Sequence, residues 1–214
     1  MTYLQLVNSV LRKLREDEVT TVNENNYSKL IGDFINDSVS YIESSWDWSS
    51  LRDTIIINTI ASQDTYSLTD FGIRSEVMSV YNVTNKYELT SRTKGYIVDK
   101  QYTTDYTSAP RSFALNGTDA NNDTKIVLYP TPDKAYTIEA NVVLRDTSLS
   151  ADDDSTKLPS LPIVQLAFAY ALRERGETGG QSASEQVIIA QQDLSNAIAL
   201  DAGNNAGELV FDVV

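Results

Sequence analysis

The chain of 214 residues contains neither cysteine nor histidine. Their absence removes disulfides, structural zinc of the usual Cys/His kinds, thiol nucleophiles, and every serine or cysteine mechanism that uses imidazole as base. Only carboxylate, lysine, tyrosine or carboxylate-metal chemistry is left. No apolar run approaches the roughly 20 residues needed to cross a bilayer, and Met1-Thr2-Tyr3 does not begin a basic-then-apolar signal peptide. The expectation is a protein made in a cytosol-like compartment, with no membrane partner. Positive charge is scarce as well: 17 lysines and arginines face 30 aspartates and glutamates, a net charge of −13. That balance argues against wrapping nucleic acid, because affinity for phosphate backbones comes mainly from clustered cations.

What is present reads as folded protein, 41% hydrophobic and 22% charged. The longest clean helical pattern places Tyr27, Leu30, Ile31, Phe34, Ile35, Val39, Ile42 and Trp46 on one face. It predicts a helix from Tyr27 to about Trp48, capped by Asn25 or Asn26. Directly after Trp46, Trp48 and Leu51 comes the β-branched run Thr54 to Ile60, so these three residues mark a seam between a helical and a β layer. Before it, Thr2 to Arg15 reads as a first helix, with Thr2 and Gln5 at capping-box spacing. After it, Thr54 to Ile60 and Thr65 to Leu68 read as a hairpin, and Val77 to Val83 as a strand. A short helix is expected around Lys94 to Lys100, then paired strands Arg111 to Leu115 and Lys125 to Tyr129, and an alternating strand Tyr136 to Leu144. Asp152-Asp153-Asp154 lies in a loop expected to be solvated, since the spacing of a calcium loop is missing.

Pro162 opens a helix that is apolar on nearly every side, as suits one surrounded by its own fold or by neighbouring subunits. Phe168, Tyr170 and Leu172 are its candidates for subunit packing. Ser182 and Glu185 then cap a last helix through Leu194 and Ile198 to Asp201, with Gly203 as its stop. The end of the chain carries Leu209, Val210, Phe211, Val213 and Val214, a β-prone apolar segment suited to binding a partner by strand addition or to docking on its own sheet.

The fold class is therefore α+β: an antiparallel helical bundle of about four helices, a β-rich region inserted between the second helix and the last two, and a C-terminal extended tail. In domain terms, residues 1–51 and 160–203 form a discontinuous helical domain, 52–159 the β-rich domain and 204–214 the arm. No catalytic, cofactor or metal site is assigned. Glu174 and Glu177 could in principle pair for glycoside hydrolysis, which needs only two carboxylates, but they sit at a charged helix end where surface ion pairs are the ordinary explanation.

Three stretches carry a family resemblance: Phe34-Ile35-Asn36 through Trp46-Asp47-Trp48 to Leu51-Arg52, then Tyr129-Pro130-Thr131-Pro132-Asp133, and Leu161-Pro162 through Ala167-Phe168-Ala169-Tyr170-Ala171 to Glu174-Arg175-Gly176-Glu177. In this arrangement the chain resembles the head-to-tail adaptor (connector) proteins of tailed phages, particularly the tail tubular protein A type of short-tailed phages. The resemblance implies a structural virion protein of the neck, made in the host bacterial cytoplasm and assembled as a dodecameric ring. It would join the portal protein to the tail nozzle or tube, and genomic DNA would pass through its lumen without specific binding. The helical layer would engage the portal and the β-rich part would face tailward. Other readings of the residues are a carboxylate-dependent glycosidase associated with a phage tail and a monomeric α+β binding module.

Overall fold

The computed structural model describes residues 1–104, 106–145, 148–176 and 181–204. Over these residues it is mixed α+β, with five α-helices and two sheets in two compact units. One unit joins the first 51 residues to the C-terminal helices, and the other begins at Arg52 and holds the strands.

In the helical unit α1 (Tyr3–Lys13) starts with the expected box: Gln5 N–H donates to Thr2 Oγ1 at 3.3 Å and Thr2 N–H to Gln5 Oε1 at 3.0 Å. It stops at Lys13, two residues earlier than expected, because Arg15 adopts a left-handed φ of 60° and turns the chain away. The second helix, α2 (Asn26–Ser45), is capped by Asn25, whose side chain accepts from Ser28 N–H at 2.8 Å. It ends before Trp46, not near Trp48. Trp46 is extended, and the Trp48 indole N–H donates at 2.8 Å to the carbonyl of Ile42, one of the acceptors that a helix end leaves open. Of the expected stripe, Ile31, Ile35, Val39 and Ile42 are fully buried, while Tyr27, Leu30, Phe34 and Trp46 are half-buried.

A 3-10 turn at Ser49–Leu51 leads out of this unit, and the chain returns to it in α4 (Ser160–Glu174) and α5 (Gln181–Asn204). The fourth helix packs against α1, α2 and α5, which explains its all-round apolar sequence. Gly203 does not stop α5, which runs on to Asn204. The side chain of Ser182 and the whole of residues 205–214 lie outside the described residues, and with them the second capping box and the apolar terminal segment.

The β unit contains β1 (Arg52–Asn58), β2 (Thr65–Ser67), β3 (Glu76–Asn82), β4 (Tyr87–Glu88), β5 (Thr90–Ser91), α3 (Lys94–Thr103), β6 (Ser112–Thr118), β7 (Thr124–Tyr129) and β8 (Thr137–Val143). They form two four-stranded sheets, β1-β8-β3-β4 and β2-β7-β6-β5. All pairs are antiparallel except β5 with β6. The first two strands are not a hairpin: β1 pairs with β8 and β2 with β7. Ile57 and Tyr66 enter one core from opposite sheets, so the connection between them arches over that core. The Tyr66 hydroxyl fixes the arch, accepting from Ile60 N–H at 3.0 Å and donating to Gln63 O at 2.7 Å. The alternation expected of β8 holds, with Tyr136, Ile138, Ala140 and Val142 in the core between the sheets. The pairing of β6 with β7 also holds, and its register shifts beyond Leu115 where Gly117 takes a φ of 67°. Both faces of β7 are covered: Ile126 and Leu128 point into the sandwich, while Val127 and Tyr129 lie under Ile97 of α3.

Candidate interface surfaces

The Trp46 to Leu51 segment is locked to the end of α5. Asp201 accepts from the Trp46 indole N–H at 2.9 Å, from Ser49 N–H at 3.1 Å and from the Ser49 hydroxyl. Trp48 and Leu51 are buried in the same unit, whereas Trp46 stays half-exposed. Sequence reading singled out the tryptophans but not Asp201, which lies 155 positions from Trp46 and carries no local signal.

The acidic loop is a clasp and not merely solvated. The carbonyls of Asp154 and Asp152 accept from Tyr3 N–H at 2.7 Å and Leu4 N–H at 3.2 Å, satisfying the free donors at the start of α1. The Asp152 carboxylate accepts from Val22 N–H at 2.9 Å, and Asp154 gathers the N–H groups of Ser150 and Ala151, both at 2.7 Å. Both carboxyls are held below their usual range: Asp152 first by the Thr21 hydroxyl and then by Val22 N–H, Asp154 by the backbone of Ala151 and then of Ser150. Asn36 of α2 grips the neighbouring Leu149 through its N–H at 3.0 Å and its carbonyl at 3.1 Å. Residues 148–159 therefore belong with the helices, a correction to the β-rich boundary at 159.

Half-buried aromatics on α2 and α4 open onto a cleft of about 650 Å³, lined by Phe34, Asp37, Tyr41, Tyr170, Arg173 and Glu174. Phe34 and Tyr170 meet edge to face at 6.1 Å, and Arg173 lies 6.0 Å above the Tyr170 ring. Burial pushes the Tyr170 phenol up, with the Asp37 carboxylate adding to it. Tyr170 and Arg173 also line a second cleft of about 380 Å³ that continues onto α5 at Ala183, Val187 and Ile188. Ile188 is 63% exposed at this cleft, and elsewhere α5 exposes Ile189 (44%) and Leu200 (74%). Of the subunit-packing candidates, Tyr170 lies in this groove, Phe168 is half-buried with the Lys13 ammonium 5.6 Å from its ring centre, and Leu172 is buried within its own unit.

At the far end of α4, Arg175 donates to the Tyr27 hydroxyl at 2.7 Å and to Glu16 at 2.6 Å. Glu174 lines the first cleft, whereas Glu177 lies outside the described residues, as do Leu209, Val210, Phe211, Val213 and Val214. Among the described residues there is no cluster of three or more side chains able to hold a metal, and no helix is long and apolar enough to cross a membrane.

No curated protein matches the sequence. The family model for the SU10 adaptor protein matches residues 1–209, nearly the full length. The chain thus belongs to the SU10 adaptor protein family and is a phage head-to-tail adaptor, a structural component of the virion neck.

Proposed function

We propose that the protein forms a dodecameric ring that joins the capsid portal to the tail nozzle or tube and provides a passage for DNA, in the manner of the tail tubular protein A type of short-tailed phages. Family membership supports the adaptor role. The observation that carries the rest is the apolar surface left on the helical unit: the groove around Phe34, Tyr41, Tyr170 and Arg173, which continues onto α5 at Ala183, Val187 and Ile188. Tyrosine and arginine in a partly desolvated groove are the composition of interface anchors, and contiguous apolar surface of this kind marks a protein partner.

In this reading the helical unit meets the portal and neighbouring subunits through Tyr170 and Phe168, and the β unit faces the tail. The terminal Leu209, Val210, Phe211, Val213 and Val214 add to the portal or to a neighbour. Trp46, Trp48 and Leu51 set the point from which the β unit departs. The excess negative charge keeps passing DNA from adhering to the lumen. Host cytoplasm is the place of synthesis.

Electron microscopy of the full chain with the portal of its phage tests this reading. A twelvefold ring on the portal is expected, with truncation after Gly207 leaving a folded protein that no longer attaches. A chain that stays monomeric beside the portal would overturn the ring, and a truncated protein that unfolds would overturn the role given to the tail.

A further inference from the structure

The β unit is asymmetric in charge across its thickness. On the outer face of the sheet β1-β8-β3-β4, cross-strand pairing aligns Ile56, Glu139, Tyr81 and Glu88 in one row. Ile56 is 63% exposed and Tyr81 38%, and neither glutamate of the row forms an ion pair among the described residues. The adjacent row is neutral: Thr54 donates to Asn141 at 3.0 Å, and Asn141 to Ser79 at 3.2 Å.

On the opposite side of the sandwich, α3 buries one side chain, Ile97, against the other sheet and is otherwise tied down by polar contacts such as Gln101 to Asp64 at 2.7 Å. A helix so nearly polar all round gains little from its own core. Its surface is cationic and aromatic: the exposed Tyr96 ring has Arg92 5.1 Å and Lys100 5.9 Å from its centre. Lys94 adds a third cation at the first turn, against one acid on the helix, Asp99. This local surplus of cations stands out in a chain of net charge −13.

One face thus offers two carboxylates alternating with an aliphatic and an aromatic side chain, and the other offers cations stacked on a tyrosine. We infer that the α3 face of one copy docks on the Ile56-Glu139-Tyr81-Glu88 row of the next. The contact joins unlike faces of identical subunits, which is the kind that closes into rings, and charge complementarity fixes its direction. The inference rests on the ring reading and adds to it a lateral contact made by the β units.

The absence of cysteine makes cross-linking a clean test. Tyr81→Cys and Tyr96→Cys are combined in the full chain, expressed with the portal protein of the same phage, and treated with a bismaleimide. A ladder of covalent multimers is expected from the double variant and none from either single variant. In parallel, Arg92→Glu with Lys100→Glu should lower multimer yield about tenfold, as should Glu88→Lys with Glu139→Lys, and all four together should restore it. Rings in the micrograph with no ladder and no response to charge reversal would overturn this contact while leaving the ring intact. No ring in the unaltered protein would overturn both. Retention of a double-stranded DNA oligonucleotide that is lost in Arg92→Glu/Lys100→Glu, without any ladder, would assign the cationic face to nucleic acid instead and overturn the inference.

Discussion

In the helical unit, α2 buries Ile31, Ile35, Val39 and Ile42 completely, yet Phe34 and Tyr41 on the flanks of that stripe remain open to a cleft. In the β unit, β7 is covered on both faces, Ile126 and Leu128 by the second sheet and Val127 and Tyr129 by α3. The helical unit holds its connections with polar contacts between distant segments: Asp201 to Ser49, Asn36 to Leu149, and the Asp154 and Asp152 carbonyls to α1. The β unit is built around the apolar core between its sheets and has polar pins of its own, Gln101 to Asp64 at 2.7 Å and the Tyr87 hydroxyl to the Pro110 carbonyl at 2.7 Å. The helical unit leaves Phe34 and Tyr41 open beside its buried stripe, and under the proposed function this is where a partner docks. A two-sided sandwich has less to spare and presents charge patterns on its outer faces.

Both tryptophans, Trp46 and Trp48, lie in the helical unit, so tryptophan fluorescence reports that unit selectively. Trp48→Ala should have the largest effect, a loss of about 3–5 kcal/mol, read as a lowered midpoint in the fluorescence of the remaining Trp46. Leu128→Ala should cost the β unit about 3 kcal/mol, lowering the midpoint of its strand signal in circular dichroism and leaving the fluorescence midpoint in place. Shifts of equal size in both signals for both variants would break the comparison. Asp201→Ala removes an acceptor from Trp46 and Ser49 and should cost about 1–2 kcal/mol, with amide exchange rising in the last turns of α5 and at residues 46–51. Exchange that rises evenly over the whole chain would count against a local clasp.

The clasp also sets an acid limit. The Asp152 and Asp154 carboxyls are depressed in the folded chain, so their stabilising effect is complete above the unfolded value of about 3.9 and fades as pH falls through the folded value. Fluorescence melts should lose stability below about pH 4, and Asp152→Asn with Asp154→Asn should be less stable at neutral pH and flatter over that acid range. The smallest effect on stability belongs to Tyr170→Ala, below about 1 kcal/mol for a half-exposed ring, together with a clear loss of portal attachment in a pull-down. Destabilisation by several kcal/mol would make Tyr170 a core residue and not a docking one.

Much of the fold is legible in the sequence because it is local. The box at Thr2 and Gln5, the α2 stripe and the alternation of β8 each depend on residues a few positions apart. The pairing of β1 is not local, since its partner β8 lies some 80 positions on, and the adjacent β2 offered a short loop that looked like a hairpin. The end of α2 is equally hidden, because it depends on where the Trp48 indole N–H goes. For the clefts, the all-round apolar sequence of α4 singles out Tyr170 and the α2 stripe includes Phe34, but nothing in that stripe separates the half-buried Phe34 from the fully buried residues around it. Arg173 and Asp201 gave no signal, since each acts only once α4 and α5 are in place.

Amide exchange of the full chain, free and bound to the portal, tests most directly the claim that the helical unit carries the attachment. Protection on binding is expected at residues 34–41 of α2, 169–174 of α4 and 183–189 of α5. Protection confined to the strands, with those three segments unchanged, would contradict it.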